Sequence, residues 1–418
     1  MKIKTSFRLT FHNSVEYNLI NIIFLFIMAF SMFNILFWQR EKSEILKTAC
    51  KLSLIMVFMC EIFYIMIHFF THRRFTGISY VTFFYLLYEM IVTSMTNRFG
   101  IFGYIVDGMV WPLTFITFEF YAMYTDRNTI RKQLHNMMIV SMSLCTLLLI
   151  NNIRIHLNSS NHGEFGGNVG PVYFCLSFMG LILLLGSKKE KIFFAVWFAV
   201  MILASTKRGG FVIMAVGLCG YYIVNETRKG NALAKIKKYI KILFVGALVA
   251  GIVYFVMVRL ELEILDRLLK IKDDEGSGRI DIWKQVIQHF SASSTEKKIF
   301  GHGFHSVPNE VQPVGHFIYA HDSYLETLYD FGIVGVTWLI GIVIWLCIQL
   351  VKMIRNKKAD ASTLTYFIVE ILVLSAIGYF FDESRFILCV AVAWGISLGN
   401  GLNRREQLYQ KIEGVITC

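Results

Sequence analysis

The chain has 418 residues, of which 56% are hydrophobic and only 17% charged, and its mean hydropathy is +0.55. That balance excludes an ordinary soluble domain and describes a chain that dissolves in lipid. A net charge of +12 would suggest nucleic acid in a soluble protein, but in a membrane protein the placement of the basic residues carries the information, and no nucleic-acid partner is expected.

The expected fold is all-α: a polytopic bundle of about twelve transmembrane helices with one large extracytoplasmic loop containing amphipathic helices. Only 4 prolines and as many as 37 phenylalanines agree with long helices in a bilayer. At the N-terminus Lys2, Lys4 and Arg8 precede the apolar run 19–38. The run is long enough to span and lacks a small-residue cleavage site, so it reads as a retained span and not a signal peptide. Apolar runs then predict spans at 16–38, 52–70, 77–95, 101–124, 137–151, 168–186, 192–206, 208–225, 239–258, 332–351, 362–381 and 384–399. The fifth and seventh are short, and the pair around Lys207 and Arg208 reads equally as a hairpin or a broken helix. Three regions follow: a bundle of about nine spans over 1–258, an outer loop over 259–331, and the last spans with a tail over 332–418.

Basic residues orient this map. With the N-terminus inside, 24 Lys and Arg fall on the cytoplasmic side and 17 opposite, 8 of the 17 in the long loop. Long loops translocate regardless of charge, so the remaining asymmetry places both termini in the cytoplasm and the long loop outside. That loop begins with the amphipathic stretch 260–274, turns at Gly276-Ser277-Gly278, and continues in a second helix with Ile280, Trp283, Ile287 and Phe290 on one face. Such a helix either lies on the membrane surface or caps the bundle. The 8 cysteines lie mostly in apolar runs without CxxC spacing, so neither a disulfide framework nor a metal site is expected.

Three outer features carry chemistry. The first is Ser205-Thr206-Lys207-Arg208-Gly209-Gly210, where a guanidinium fork matched to phosphate oxygens sits beside glycines that allow close approach. An ordinary headgroup-level cation would look the same. The second is Arg279 with Trp283, followed by Gly301-His302-Gly303-Phe304; a solvated helix-end charge and a turn histidine are the plainer readings. The third is Ala320-His321-Asp322-Ser323-Tyr324-Leu325-Glu326, leading to Gly332 and Gly335. Ser323 and Glu326 have capping-box spacing, which starts a helix there and leaves His321 just before it. The positive helix end favours a neutral imidazole able to accept a proton, although a histidine merely at the headgroup boundary fits too. Acidic residues inside spans, Glu61, Glu89, Asp107, Glu119 and Glu370, either line a polar pathway, as in a transporter, or are satisfied within the bundle.

The order of these motifs resembles the O-antigen ligase and polymerase superfamily of helical membrane glycosyltransferases. The resemblance is strongest from about Ser205 to Gly335. It implies metal-independent and cofactor-free transfer of an undecaprenyl-pyrophosphate-linked oligosaccharide to the hydroxyl of an acceptor glycan. The place implied is the outer face of the bacterial inner membrane, amid membrane lipids and in the company of a chain-length regulator where one exists. Residue by residue, Arg208 and Arg279 match the pyrophosphate-binding arginines and His321 the base or acceptor-positioning histidine. Lys207, His302, Asp322 and Arg385 are secondary contacts to pyrophosphate or sugar. Asp322 departs from the commoner Asn, and its charge would raise the basicity of His321. The form A-H-D-S-Y-L-E is similar to polymerases of O-antigen, capsule or exopolysaccharide. The ligase that passes finished polymer to lipid A core is the alternative, and a transporter of polysaccharide or lipid-linked sugar is the reading from another class.

Overall fold

The structure, a computed structural model, describes residues 2–39, 43–72, 75–96, 108–157, 170–204, 208–227, 279–311, 319–378 and 384–401. The expected span 239–258, the amphipathic stretch 260–274, Asp107 and Lys207 lie outside the described residues. All regular structure among those residues is helical: α1 (Lys2–Gln39), α2 (Glu44–His72), α3 (Gly77–Thr96), α4 (Val110–Tyr124), α5 (Arg127–Leu157), α6 (Gly170–Leu185), α7 (Lys188–Ala204), α8 (Arg208–Thr227), α9 (Arg279–Ala292), α10 (Thr295–Phe300), a π-turn (Val307–Val311), α11 (Ser323–Arg355), α12 (Ala361–Ile377) and α13 (Ser384–Gly401).

Among the described residues, four stretches are long and apolar enough to cross a membrane: Val15–Asn34, Glu44–Thr71, Gly77–Thr96 and Ser323–Arg355. Shorter apolar segments at Leu176–Leu185, Val212–Thr227, Ala361–Ala376 and Ile387–Asn400 pack beside them. Along α11 the exposed Ile340, Ile344, Ile348 and Val351 form a stripe at helical spacing, while Leu339, Ile342, Val343 and Leu346 are buried. In water such a stripe would be unfavourable; in hydrocarbon it is the expected outer face. The chain is a helical membrane protein whose helices bury one side and offer the other to lipid.

Close helix contacts depend on small residues. Trp111 of α4 stacks on Trp394 of α13 with ring centroids 6.2 Å apart, and a Cβ at the next residue, Gly395, would lie 2.6 Å from the carbonyl of Phe115, one turn on from Trp111. Gly399, four residues later, meets the backbone at Glu119 in the same way, so these two glycines let α4 and α13 touch backbone to backbone.

Three of the buried acids, Glu61, Glu119 and Glu370, each present one carboxylate oxygen to a hydroxyl donor from another part of the bundle. Thr114 Oγ1 donates to Glu61 at 2.6 Å, Thr76 Oγ1 to Glu119 at 2.9 Å with Ser79 on the same carboxylate oxygen, and Ser177 Oγ to Glu370 at 2.8 Å. Each pair crosses from one helix, or the residue just before one, to another. The donors are Ser and Thr hydroxyls. An unpaired polar group in hydrocarbon costs several kcal/mol, so these bonds fix neighbouring helices in register.

Candidate active site

The site grows from a break in α11. Gly332 lies at φ 67°, ψ −169° inside an otherwise continuous helix, a conformation essentially confined to glycine. The break separates a short leading piece, Ser323–Phe331, from the apolar piece that begins at Ile333, which is why the apolar run read as starting at 332. Into the break docks the turn at 301–306. His302 N donates to the Tyr329 carbonyl at 3.1 Å and Gly303 N to the Asp330 carbonyl at 2.8 Å. The buried Asp330 carboxylate accepts from His305 N at 2.8 Å and Ser306 N at 3.0 Å. Gly301, at φ 93°, has no room for a Cβ against the Asp330 carbonyl. From α3, Tyr88 Oη donates to the Phe331 carbonyl at 2.7 Å and lies 3.1 Å from the Phe300 carbonyl. None of Tyr88, Asp330 or the Gly301–Gly332 contact stood out in the sequence; the spacing of two glycines thirty-odd residues apart carries no local signal.

His302 is a pin in this scaffold. Its ring is 5% exposed, stacks on Tyr329 at 4.2 Å, and engages Glu310 through Nδ1 at 2.7 Å and Ser293 through Nε2 at 2.9 Å. Tyr329 Oη donates to the same Glu310 oxygen at 2.9 Å. Both ring nitrogens are thus committed to the protein, tying the end of α9, the π-turn and α11 together.

His321 stands immediately before α11 with φ 54°, in the left-handed region that costs a β-carbon-bearing residue roughly 1–2 kcal/mol. It is half-buried. The helix cap differs from the expected capping box by one residue. Asp322, not Ser323, is the N-cap: its carboxylate accepts from Leu325 N at 2.9 Å. Ser323 instead donates to the Gly378 carbonyl at 3.0 Å, and Glu326 reaches back to the amide of Ala320. An Asp side chain one position earlier satisfies the third helical amide just as Ser323 was expected to do, freeing Ser323 for a tertiary contact. Burial pushes the Asp322 carboxyl above its ordinary value, against the opposing hydrogen bonds from the Leu325 and Tyr324 amides.

Arg279 opens α9. One turn on, Trp283 Nε1 donates to the Ala320 carbonyl at 2.8 Å, so the helix that carries Arg279 is fastened to the residue preceding His321. The buried face of α9 is rotated from the expected one. Trp283 and Phe290 face inward with Ile282 and Val286, whereas Ile280 and Ile287 are 42% and 51% exposed. The inward face packs on Val307, Val311, Ala320 and Tyr329, so α9 covers the N-terminal end of α11.

Arg208 opens α8. Gly217 faces Tyr366 and Gly220 faces Thr365, and Tyr221 lies beside Ser362; these contacts run in opposite order, so α8 and α12 are antiparallel. The end of the pair at which α8 begins is therefore the end at which α12 closes on Gly378. That is the glycine whose carbonyl Ser323 holds. The backbone thus brings the starts of α8, α9 and α11 to one end of the molecule. The side chains of Arg208 and Arg385, and all of Lys207, lie outside what the structure describes.

Three helix starts at one end of the molecule, two opened by arginines and one headed by histidine, form a place where an anion could be held beside a proton acceptor. No curated protein matches the chain. Residues 193–340 match the model of a family described as O-antigen ligase, a segment running from α7 into α11 and containing Arg208, Arg279 and His321. Residues 193–340 are thus similar to the O-antigen ligase family, and that similarity supports the resemblance to the O-antigen polymerase and ligase superfamily.

Proposed function

We propose that the protein is a polymerase of undecaprenyl-pyrophosphate-linked oligosaccharide repeats, acting at the outer face of the bacterial inner membrane. The observation that carries this reading is the half-buried, left-handed His321 at the head of α11, fastened through Ala320 to the helix that Arg279 opens. In the reaction the acceptor hydroxyl of the next lipid-linked repeat attacks the anomeric carbon of the growing chain. The bond from that carbon to the pyrophosphate oxygen breaks, and undecaprenyl pyrophosphate leaves. His321 takes the hydroxyl proton as the new glycosidic bond forms. Arg208 and Arg279 hold the two phosphates and the negative charge that grows on the leaving oxygen. A pyrophosphate is already a good leaving group, so charge neutralisation and orientation account for most of the work. Lys207 and Arg385 are further cations for the same anion, and Asp322 serves as the helix cap that fixes the residue after His321.

A second reading, ligation of finished polymer to lipid A core, is favoured by the O-antigen ligase description of the matching domain. Deleting the gene separates the two on a gel of surface glycan. A lost polymerase leaves single repeats on lipid A core, whereas a lost ligase leaves unsubstituted core and accumulated lipid-linked polymer. An unchanged glycan profile, or full polymer from a His321→Ala protein present at normal level, overturns both.

A further inference from the structure

We infer that Glu326 and Trp283 are positioning residues that clamp the Ala320 peptide from both sides and thereby hold His321 in its working conformation. The inference rests on the role proposed for His321 and extends it to two residues that touch neither substrate. Ala320 is fully buried. Its N–H is taken by the buried Glu326 carboxylate and its C=O by the Trp283 indole at 2.8 Å. On the other side of His321, the Asp322 carboxylate is bound to Leu325 N at 2.9 Å and the Asp322 carbonyl accepts from Glu326 N at 3.0 Å. The residues before and after His321 are thus fixed, and the φ of 54° between them is a conformation His321 would leave if either side were released. Backbone strain persists only where the surroundings over-determine it, and such strain gathers at functional positions. Glu326 comes from the third turn-mate of the same helix head, Trp283 from the helix that Arg279 opens. The clamp therefore also sets the register of the guanidinium-bearing helix against the imidazole. A carboxylate is not required for this: any acceptor oxygen at the same place would hold the Ala320 amide.

The test uses full-length protein in membranes, with undecaprenyl-pyrophosphate oligosaccharide extracted from the deletion strain as donor. A second readout is the rate at which diethyl pyrocarbonate carbethoxylates His321, followed by mass spectrometry of the peptide. Glu326→Ala and Trp283→Phe are expected to lower kcat about 10- to 100-fold, the scale of a misplaced group, with KM nearly unchanged and the carbethoxylation rate altered. Glu326→Gln, whose amide oxygen can accept the same hydrogen bond, restores both. Trp283→Phe removes the N–H donor while leaving an aromatic six-membered ring in place, so it carries the test if Glu326→Ala fails to accumulate. Wild-type kcat and unchanged carbethoxylation in Trp283→Phe and Glu326→Ala, alongside an inactive His321→Ala, overturn the clamp and leave the parent reading standing. Full activity in His321→Ala removes the parent reading instead, and the carbethoxylation rates then decide the clamp alone.

Discussion

Gly332→Ala probes the break on which the candidate site is built. Its backbone lies at φ 67°, ψ −169°, where a residue other than glycine costs of order 1–3 kcal/mol. The added Cβ would also run into the Ile299 carbonyl and lie 2.7 Å from the Gly301 amide, and crowding of this kind adds roughly 1–3 kcal/mol. Relieving it means withdrawing the 301–306 turn. That sacrifices the hydrogen bonds from His302 N and Gly303 N to the carbonyls at 329 and 330, each a net contribution of about 1 kcal/mol. Strain with the crowding, or strain with the two lost bonds in its place, comes to about 2–6 kcal/mol, a large share of the roughly 5–15 kcal/mol typical of a domain. The assay is membrane abundance together with the thermal transition of detergent-solubilised protein. Gly341→Ala, in the same helix with nothing within 4 Å of its Cβ, is the internal control and is expected to behave as wild type. Equal abundance and equal transition temperatures for the two variants would refute the reasoning.

The other expectations concern single groups. His321→Gly should be more stable than His321→Ala by about 1 kcal/mol, because glycine accepts the left-handed conformation that alanine resists; thermal scans of the two proteins check it, and the reverse order would deny the strain. Tyr88→Phe removes the hydroxyl that holds the Phe331 carbonyl at 2.7 Å and should cost about 1 kcal/mol, seen as earlier proteolysis of the 301–306 turn. Lys284, exposed on α9, should be labelled by a membrane-impermeant maleimide from the outer face once changed to cysteine; labelling only after permeabilisation would invert the topology. At the start of α7, burial alone would raise the Glu190 carboxyl, but hydrogen bonds from Ser187 and His135 outweigh it and bring the pKa from an ordinary 4.5 down to about 2. A depressed carboxylate stabilises the fold above its unfolded value. That contribution should fade as pH falls from about 4.5 towards 2 and be missing at all pH values in Glu190→Gln.

Local patterns carried the sequence reading furthest where the physics is local. Hydropathy runs placed α1, α2, α3 and the span of α11, because a bilayer demands long apolar helices whatever surrounds them. The start of a helix at 322–326 was legible because caps are short-range, and the error of one residue arose because Asp322 and Ser323 are both competent caps. The face of α9 was misjudged because Ile280 and Ile287 are as apolar as Ile282 and Val286; periodicity finds a stripe but not which side meets the protein. Long-range satisfaction was invisible. Glu61 finds Thr114, and Glu370 finds Ser177 193 residues away, through packing that no window of sequence contains. His302 read as a turn residue, while its partners Ser293, Glu310 and Tyr329 are set by the docking of three separate elements.

The central claim is that Arg279 and His321 act on one substrate. A double-mutant cycle on the rate of glycan transfer in membranes, using Arg279→Lys and His321→Gln with the deletion strain's lipid-linked oligosaccharide as donor, tests it most directly. Both singles should be impaired, and the double should show a coupling of about 0.5–3 kcal/mol, as groups sharing one transition state do. Wild-type rates in either single, or losses in the double that simply add, would contradict the account.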